Sequence, residues 1–455
     1  MEAESDGEVN YQDAYQILTP VSLIGPPSEG SAPPPKPDAF GTLPFSVPGE
    51  PVVPSHTGPG LHTGPGGLSG LPPLAAPSLG HPTVDFGVGA TGPVAGSDQG
   101  FPGGLDIHTI PPELKKEGTD WFAIFSPKVK RQLDVALVHT LIHESVVCCV
   151  RFSADGRYLA TGCNRTTQIY DVRTGRKICV LVDEAAGKAS NLYIRSVCFT
   201  PDGKFLATGA DDKRIRIWNI AKKHIHKVFN GHHDIVYSLD CSTDGRFIVS
   251  GSGDKTARIW DIVYGASKVL TDHSSLGQDS SVTSVAMSPN DQYVAAGSLD
   301  AVVRIWDVRT GQILERLYGH GGGVCGVAFT PDGKGLISGG LDKTLKFWDV
   351  SALGGGPGAV AKSYFGRQWE DKCTMNFTGY RDYVLGVAVS HDGQWVVSGS
   401  RNRGVQFFDA KNAAVQCMLQ GHMNSVISID MSPVSSILAT GSGDSLVKIC
   451  VYTHS

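Results

Sequence analysis

Among its ten cysteines the 455-residue chain has no CxxC pair, and it has no GxxxxGK[ST] loop, no HExxH and no apolar run of 18 residues. These absences remove, in turn, zinc-spaced cysteine sites, a loop that cradles nucleotide phosphates, a helix-borne zinc hydrolase and a membrane-spanning helix. The amino terminus, MEAESDGEVN, is acidic and polar and does not read as a signal peptide. The cysteines sit singly in apolar runs, as Cys198 in SVCF, Cys241 in SLDC and Cys325 in VCGVAF. A free thiol there packs as a small hydrophobe and suits a reducing compartment. Basic charge is scarce as well. Residues 1–100 hold Lys36 against ten acidic residues, or −9; with −5 for the whole chain, residues 101–455 carry +4. A surface that engages phosphates needs clustered Lys and Arg, so neither direct nucleic-acid binding nor membrane binding is expected. The expectation is a soluble, intracellular protein.

What is abundant is unevenly placed. Of 27 prolines, 18 fall in the first 100 residues, with 17 of the 56 glycines. Segments such as SAPPPKP and LPPLAAPSLG offer too little apolar surface to offset the entropy of ordering, so residues 1–105 read as a disordered Pro/Gly-rich region. The opening DGEVNYQDAYQIL allows a short helical turn, but it lacks the heptads of a coiled coil.

From residue 106 a repeat takes over. Trp218-Asn219, Trp260-Asp261, Trp306-Asp307 and Trp348-Asp349 follow one another at 42, 46 and 42 residues, the WD-repeat period. Tyr170-Asp171 lies 48 residues earlier, Phe408-Asp409 lies 60 later, and a last copy ends at Cys450-Val451. Each copy runs strand, Asp-Gly turn, strand, Asp turn and a third strand ending in the aromatic, as in SVCFT, FLATGA and IRIWN. A lone four-stranded blade cannot bury both faces, so seven copies predict an all-β, seven-bladed WD-repeat propeller over 106–455. The extra length before Phe408, SALGGGPGAVAKSYFGRQWEDKC, is expected as a loop between a third and a fourth strand. The last copy stops without a fourth strand, and VALVHTLI at 135–142 has no copy of its own. Placing that strand in the last blade closes the ring and removes its edges.

Recurrent polar residues in the copies read as structural. His232, Ser250, Asp254 and Trp260 recur as His320, Ser338, Asp342 and Trp348. A His–Ser–Asp–Trp chain satisfies four buried polar groups at once. A catalytic triad would be unique, so no enzyme activity and no cofactor are expected. His224 and His226 fall on one face of a strand with no acidic third ligand, and no metal is assigned to them.

The functional surface is expected on the narrow top face. Strand alternation sends the neighbours of each inner-strand Val towards the channel mouth. These are Val146 and Cys148, Tyr193 and Arg195, Ile235 and Tyr237, Ser281 and Thr283, Gly323 and Cys325, Tyr383 and Leu385, and Ser425 and Ile427. Asp211, Leu299, Leu341 and Arg401, before the Asp turns, join them. Tyrosines, aliphatics and arginines on one rim have the composition of a protein-binding hot spot.

The stretch PPELKKEGTDWFAIFSPKVKRQLDVALVHTLIHESVVCCVRFSADGRYLATGCNRTTQIYDV is more specific than generic WD grammar. With GHHDIVYSLD, SGSGDKTARIWD and HGGGVCGVAFTPDGKGLISGGLDKTLKFWD, it resembles the fungal general transcriptional corepressors of the Tup family, Groucho-like in architecture, over residues 111–455. The resemblance implies a nuclear corepressor whose top face is met by sequence-specific DNA-binding repressor proteins, with histone tails as further partners. Family members begin with a helical segment that tetramerises and holds a corepressor subunit built of TPR repeats. The N-terminus here shows neither helical periodicity nor glutamine runs, so that partner's segment is expected to be missing. The competing reading is a general WD-repeat scaffold, such as a ubiquitin-ligase substrate receptor, with different rim chemistry on the same ring.

Overall fold

The structure, a computed structural model, describes residues 110–185, 192–270, 272, 280–354 and 372–454. The expected Pro/Gly-rich disorder of residues 1–105 lies outside these, as does the centre of the Gly-rich insertion. The strands preceding the first repeat are β1 (Lys115–Glu117), β2 (Phe122–Phe125) and β3 (Leu133–Ile142). Blade 1 holds β4 (Cys149–Phe152), β5 (Tyr158–Gly162), β6 (Thr166–Asp171) and β7 (Lys177–Val182). Blade 2 holds β8 (Ile194–Phe199), β9 (Phe205–Ala210), β10 (Ile215–Asn219) and β11 (His224–Phe229). Blade 3 holds β12 (Val236–Cys241), β13 (Phe247–Ser252), β14 (Ala257–Asp261) and β15 (Ser267–Leu270). Blade 4 holds β16 (Val282–Met287), β17 (Tyr293–Ser298), β18 (Val303–Asp307) and β19 (Ile313–Leu317). Blade 5 holds β20 (Val324–Phe329), β21 (Gly335–Gly340), β22 (Leu345–Asp349) and β23 (Cys373–Phe377), the insertion falling between the last two. Blade 6 holds β24 (Val384–Val389), β25 (Trp395–Ser400), β26 (Val405–Asp409) and β27 (Val415–Gln420). Blade 7 holds β28 (Val426–Met431), β29 (Ile437–Ser442) and β30 (Leu446–His454), and β3 completes it.

Ring closure is antiparallel, from Leu133 opposite His454 to Ile142 opposite Leu446. The closing strand starts two residues before the expected Val135. Two further strands appear where no strand was expected. β2 pairs with β27, Phe125 opposite Cys417, and β1 pairs with β2, so blade 6 becomes a six-stranded sheet. Phe125 is buried there beside Phe407 and Tyr452, and the Arg131 guanidinium lies 3.6 Å from its ring centre.

The sequence grammar has a steric cause at each joint. The glycine of the second strand receives the inner-strand Val of the next blade. A Cβ on Gly209 would stand 2.7 Å from Val236 Cγ1, one on Gly251 2.6 Å from Val282 Cγ1, and one on Gly297 2.5 Å from Val324 Cγ1. Gly441 meets Val147 in the same way and joins the last blade to the first. The turn between the first two strands is also repeated. Ser or Thr at its start donates its hydroxyl to an Asp two residues on, at 2.7 Å for Thr200 and Asp202 and 2.6 Å for Thr330 and Asp332. The next residue, Gly203 or Gly333, has φ +67°, where a side chain would be strained.

Candidate functional site

The relay residues meet in the fold. In blade 3, His232 Nδ1 lies 2.8 Å from Asp254, His232 Nε2 lies 2.6 Å from Ser250 Oγ, and Trp260 Nε1 donates to Ser250 at 2.8 Å. The carboxylate accepts from Nδ1–H, which leaves Nε2 as the acceptor of the Ser250 hydroxyl proton. Protons therefore point in one direction, from Trp260 through Ser250 and His232 to Asp254. Burial alone would raise the Asp254 pKa, but hydrogen bonds from His232 and Thr256 outweigh it and hold the carboxyl well below its usual range. Blade 5 repeats the set, with His320 2.8 Å from Asp342 and 2.7 Å from Ser338, and Trp348 Nε1 2.7 Å from Ser338.

A further relay was not read from the sequence. In blade 7, His422 lies 3.0 Å from Asp444 and 2.8 Å from Thr440. Its signal was the Gly421-His422 pair, 22 residues ahead of Asp444 as His232 is ahead of Asp254, but Cys450 replaces the tryptophan. A partial set stands in blade 1, where His143 reaches Thr161 at 2.9 Å and the Tyr170 hydroxyl at 3.3 Å, with Arg165 in the place of the acid. Among the described residues no group of three or more His, Cys, Asp or Glu is placed to hold a metal. The His226 ring packs against Phe205, with ring centres 5.1 Å apart.

The top rim sorts into layers. Arg195 is buried and forks onto Asp211, with N–O distances of 2.5 and 3.0 Å, while its guanidinium lies 5.2 Å from the Tyr193 ring. Burial would lower the Arg195 pKa, but the hydrogen bond and charge of Asp211 raise it, so this cation is fixed. Tyr237 and Cys148 are largely buried beside it, and Val146 and Ile235 are half-buried. Across the mouth, Arg401 is exposed and stands 5.5 Å from the Tyr383 ring. Ile427 and Ser425 are half-buried between Tyr383 and blade 1.

Leu299 and Leu341 require a correction. Expected at the rim surface, they are 0% and 3% exposed and pack with Cys325 and Leu385 under Tyr383. Glycine in the neighbouring loop makes the room. A Cβ on Gly323 would lie 2.9 Å from Leu299 Cδ2, and Leu341 N donates to the Gly323 carbonyl at 2.8 Å. Ser281 and Thr283 are buried too, and Thr283 Oγ1 donates to the Gly297 carbonyl at 3.0 Å. The remaining rim side chains thus rest on a packed apolar floor.

Below the rim the channel has a cavity volume of about 350 Å³. Its wall is polar where blades 1, 3 and 7 face it. Arg151 lies 3.1 Å from Asp240, while Asp430 accepts from Phe152 N at 2.7 Å. Burial raises the Asp430 carboxyl to about 6, against the opposing pull of Arg151. Serines lace successive blades together: Ser196 accepts from Leu239 N at 2.9 Å, Ser238 from Val285 N at 3.0 Å, and Ser428 from Val150 N at 3.0 Å. At the corresponding places in blades 5 and 6 stand Gly326 and Gly386.

Seven antiparallel blades, the third and fifth pinned by His–Ser–Asp relays and the last closed by the first long strand, define a WD-repeat propeller. The family described as WD domain, G-beta repeat, matches residues 136–171, 183–219, 223–261, 267–307, 311–349, 371–409 and 414–450, and the chain belongs to it. Within that family it is similar to named repressors of transcription. It is 55% identical over 358 residues to "Transcriptional repressor rco-1" of Neurospora crassa, covering 77% of this chain and 57% of that protein. It is 40% identical over 407 residues to "General transcriptional corepressor TUP1" of Saccharomyces cerevisiae, covering 76% and 56%. With "Transcriptional repressor tup12" of Schizosaccharomyces pombe the identity is 46% over 305 residues, covering 67% and 49%. The chain therefore spans roughly half of each of these relatives.

Proposed function

We propose that this chain acts in the nucleus as a transcriptional corepressor, a non-enzymatic platform carried to promoters by DNA-binding repressor proteins. The observation that supports this most is the 55% identity to a transcriptional repressor over 358 residues, joined to a rim that carries tyrosines and arginines. Tyr383 supplies rigid contact area and Arg401 a reachable cation, while Tyr193, Tyr237 and Arg195, each 8% exposed, present only their edges at the mouth. Histone tails are proposed as further partners with no contact residues assigned, since Asp211 and Asp240 near the mouth are already paired with Arg195 and Arg151.

The test is to tether the full chain to a reporter promoter through a heterologous DNA-binding domain, with Tyr237 intact or changed to Ala. Transcription should fall with the intact chain. Tyr237→Ala should weaken capture of a DNA-binding repressor by about 1 kcal/mol or more while thermal melting stays unchanged. A folded, nuclear chain that leaves the reporter untouched would favour the general scaffold reading.

A further inference from the structure

Six of the seven blades manage their outer edge. β27 is covered by β2. β11 turns His224 and His226 outward, β15 Ser267 and Lys268, and β23 Thr374 and Asn376. β19 carries Glu315 and Arg316, and β3 carries Asp134, His139 and Thr140. Charges and polar groups on an edge are the usual defence against a further strand. β7 of blade 1 has none between its ends. Cys179 and Leu181 point into the core shared with blade 2, while Ile178, Val180 and Val182 are 45%, 41% and 42% exposed on the other face. Among the described residues β7 is the last strand of its sheet, with no strand beyond it.

The sequence around this edge is complementary to itself. Read about Val180 as a centre in antiparallel register, Ile178 faces Val182, Lys177 faces Asp183 and Arg176 faces Glu184. Arg176, Lys177 and Glu184 are exposed; Asp183 already holds Arg216 at 2.8 Å, so the Arg176–Glu184 pair carries more of the match. We propose that β7 is a self-association edge, at which two copies of this chain join antiparallel about a two-fold axis through Val180. Blade 1 and its mate become one eight-stranded sheet. The six exposed β-branched side chains form a continuous cross-strand ladder with opposite charges at both ends.

The measurement is sedimentation velocity on the full chain across a concentration series, with thermal melting of each variant to establish folding. Wild type should dimerise. Val180→Lys places two ammonium groups face to face at the axis and should weaken association by about tenfold or more. Arg176→Glu or Glu184→Arg alone should each weaken it, and the double exchange should restore it. Register is read by oxidation: Val180→Cys faces its own copy at about 4.5–5.5 Å between Cα atoms and should form a disulfide-linked dimer, whereas Ile178→Cys should not. A monomeric wild type would overturn the proposal, as would a dimer indifferent to Val180→Lys, or Ile178→Cys cross-linking as readily as Val180→Cys. A monomer whose β7 amides resist hydrogen exchange would also overturn it, by placing another segment of the chain on this edge.

Discussion

A single hydroxyl carries much of blade 3. Ser250 accepts the Trp260 indole proton and donates to His232, so its removal strands two buried polar groups. Ser250→Ala should cost about 1–3 kcal/mol in chemical denaturation, more than a net hydrogen bond is worth, because the partners remain buried without water. Ionisable residues in the relays and in the channel respond to pH with opposite signs. Asp254, Asp342 and Asp444 are held below their ordinary range, so the stability they contribute is present above the unfolded pKa near 3.8 and is lost on acidification through the folded one. Asp430, raised to about 6, binds its proton more tightly in the native state than in the unfolded chain. Its contribution falls as pH climbs from about 4 to 6 and is flat above that. Asp430→Asn should therefore gain in melting temperature relative to wild type across that window and hold a constant difference beyond it. A difference independent of pH would assign the effect to packing instead.

Elements were legible where the repeat was regular and illegible where pairing was distant. The tryptophan–acid spacing and the Asp-Gly turns marked the strands of the blades, because each turn is made by residues a few positions apart. β1 and β2 carried no such mark. KKE and FAIF are short, and their place is decided by β27, nearly 300 residues downstream. The depth of Leu299 and Leu341 was equally hidden, since it depends on glycines in a neighbouring loop. At this scale the expectation concerns Phe125, buried against β27. Phe125→Ala should cost about 3–5 kcal/mol by the emptied volume and expose the blade 6 edge, with hydrogen exchange speeding first in β27. Equal acceleration in every blade would mean that the hairpin is bound into the whole ring.

For the whole molecule, the joint between β3 and β30 decides whether there is a ring at all. Val135 is buried in that joint, beside Tyr452, while Val138 on the same strand is exposed. Val135→Asp should abolish the cooperative thermal transition by leaving an unpaired charge in the core, and Val138→Asp should leave it intact. If both variants melt like wild type, closure does not rest on β3. The rim depends on this joint too, because the chain runs from β3 straight through Val146 and Cys148 into β4.

The same joint sets an order of events during synthesis. β3 leaves the ribosome about 300 residues ahead of its partner β30. At 5–20 residues per second that interval is of order tens of seconds. Throughout it a strand bearing Leu133, Val135 and Leu141 has no native strand partner on the nascent chain. A holding chaperone, or capture by a second ribosome's product on the same message, would compete for it. The yield of folded protein should therefore depend on how fast the last blade is translated.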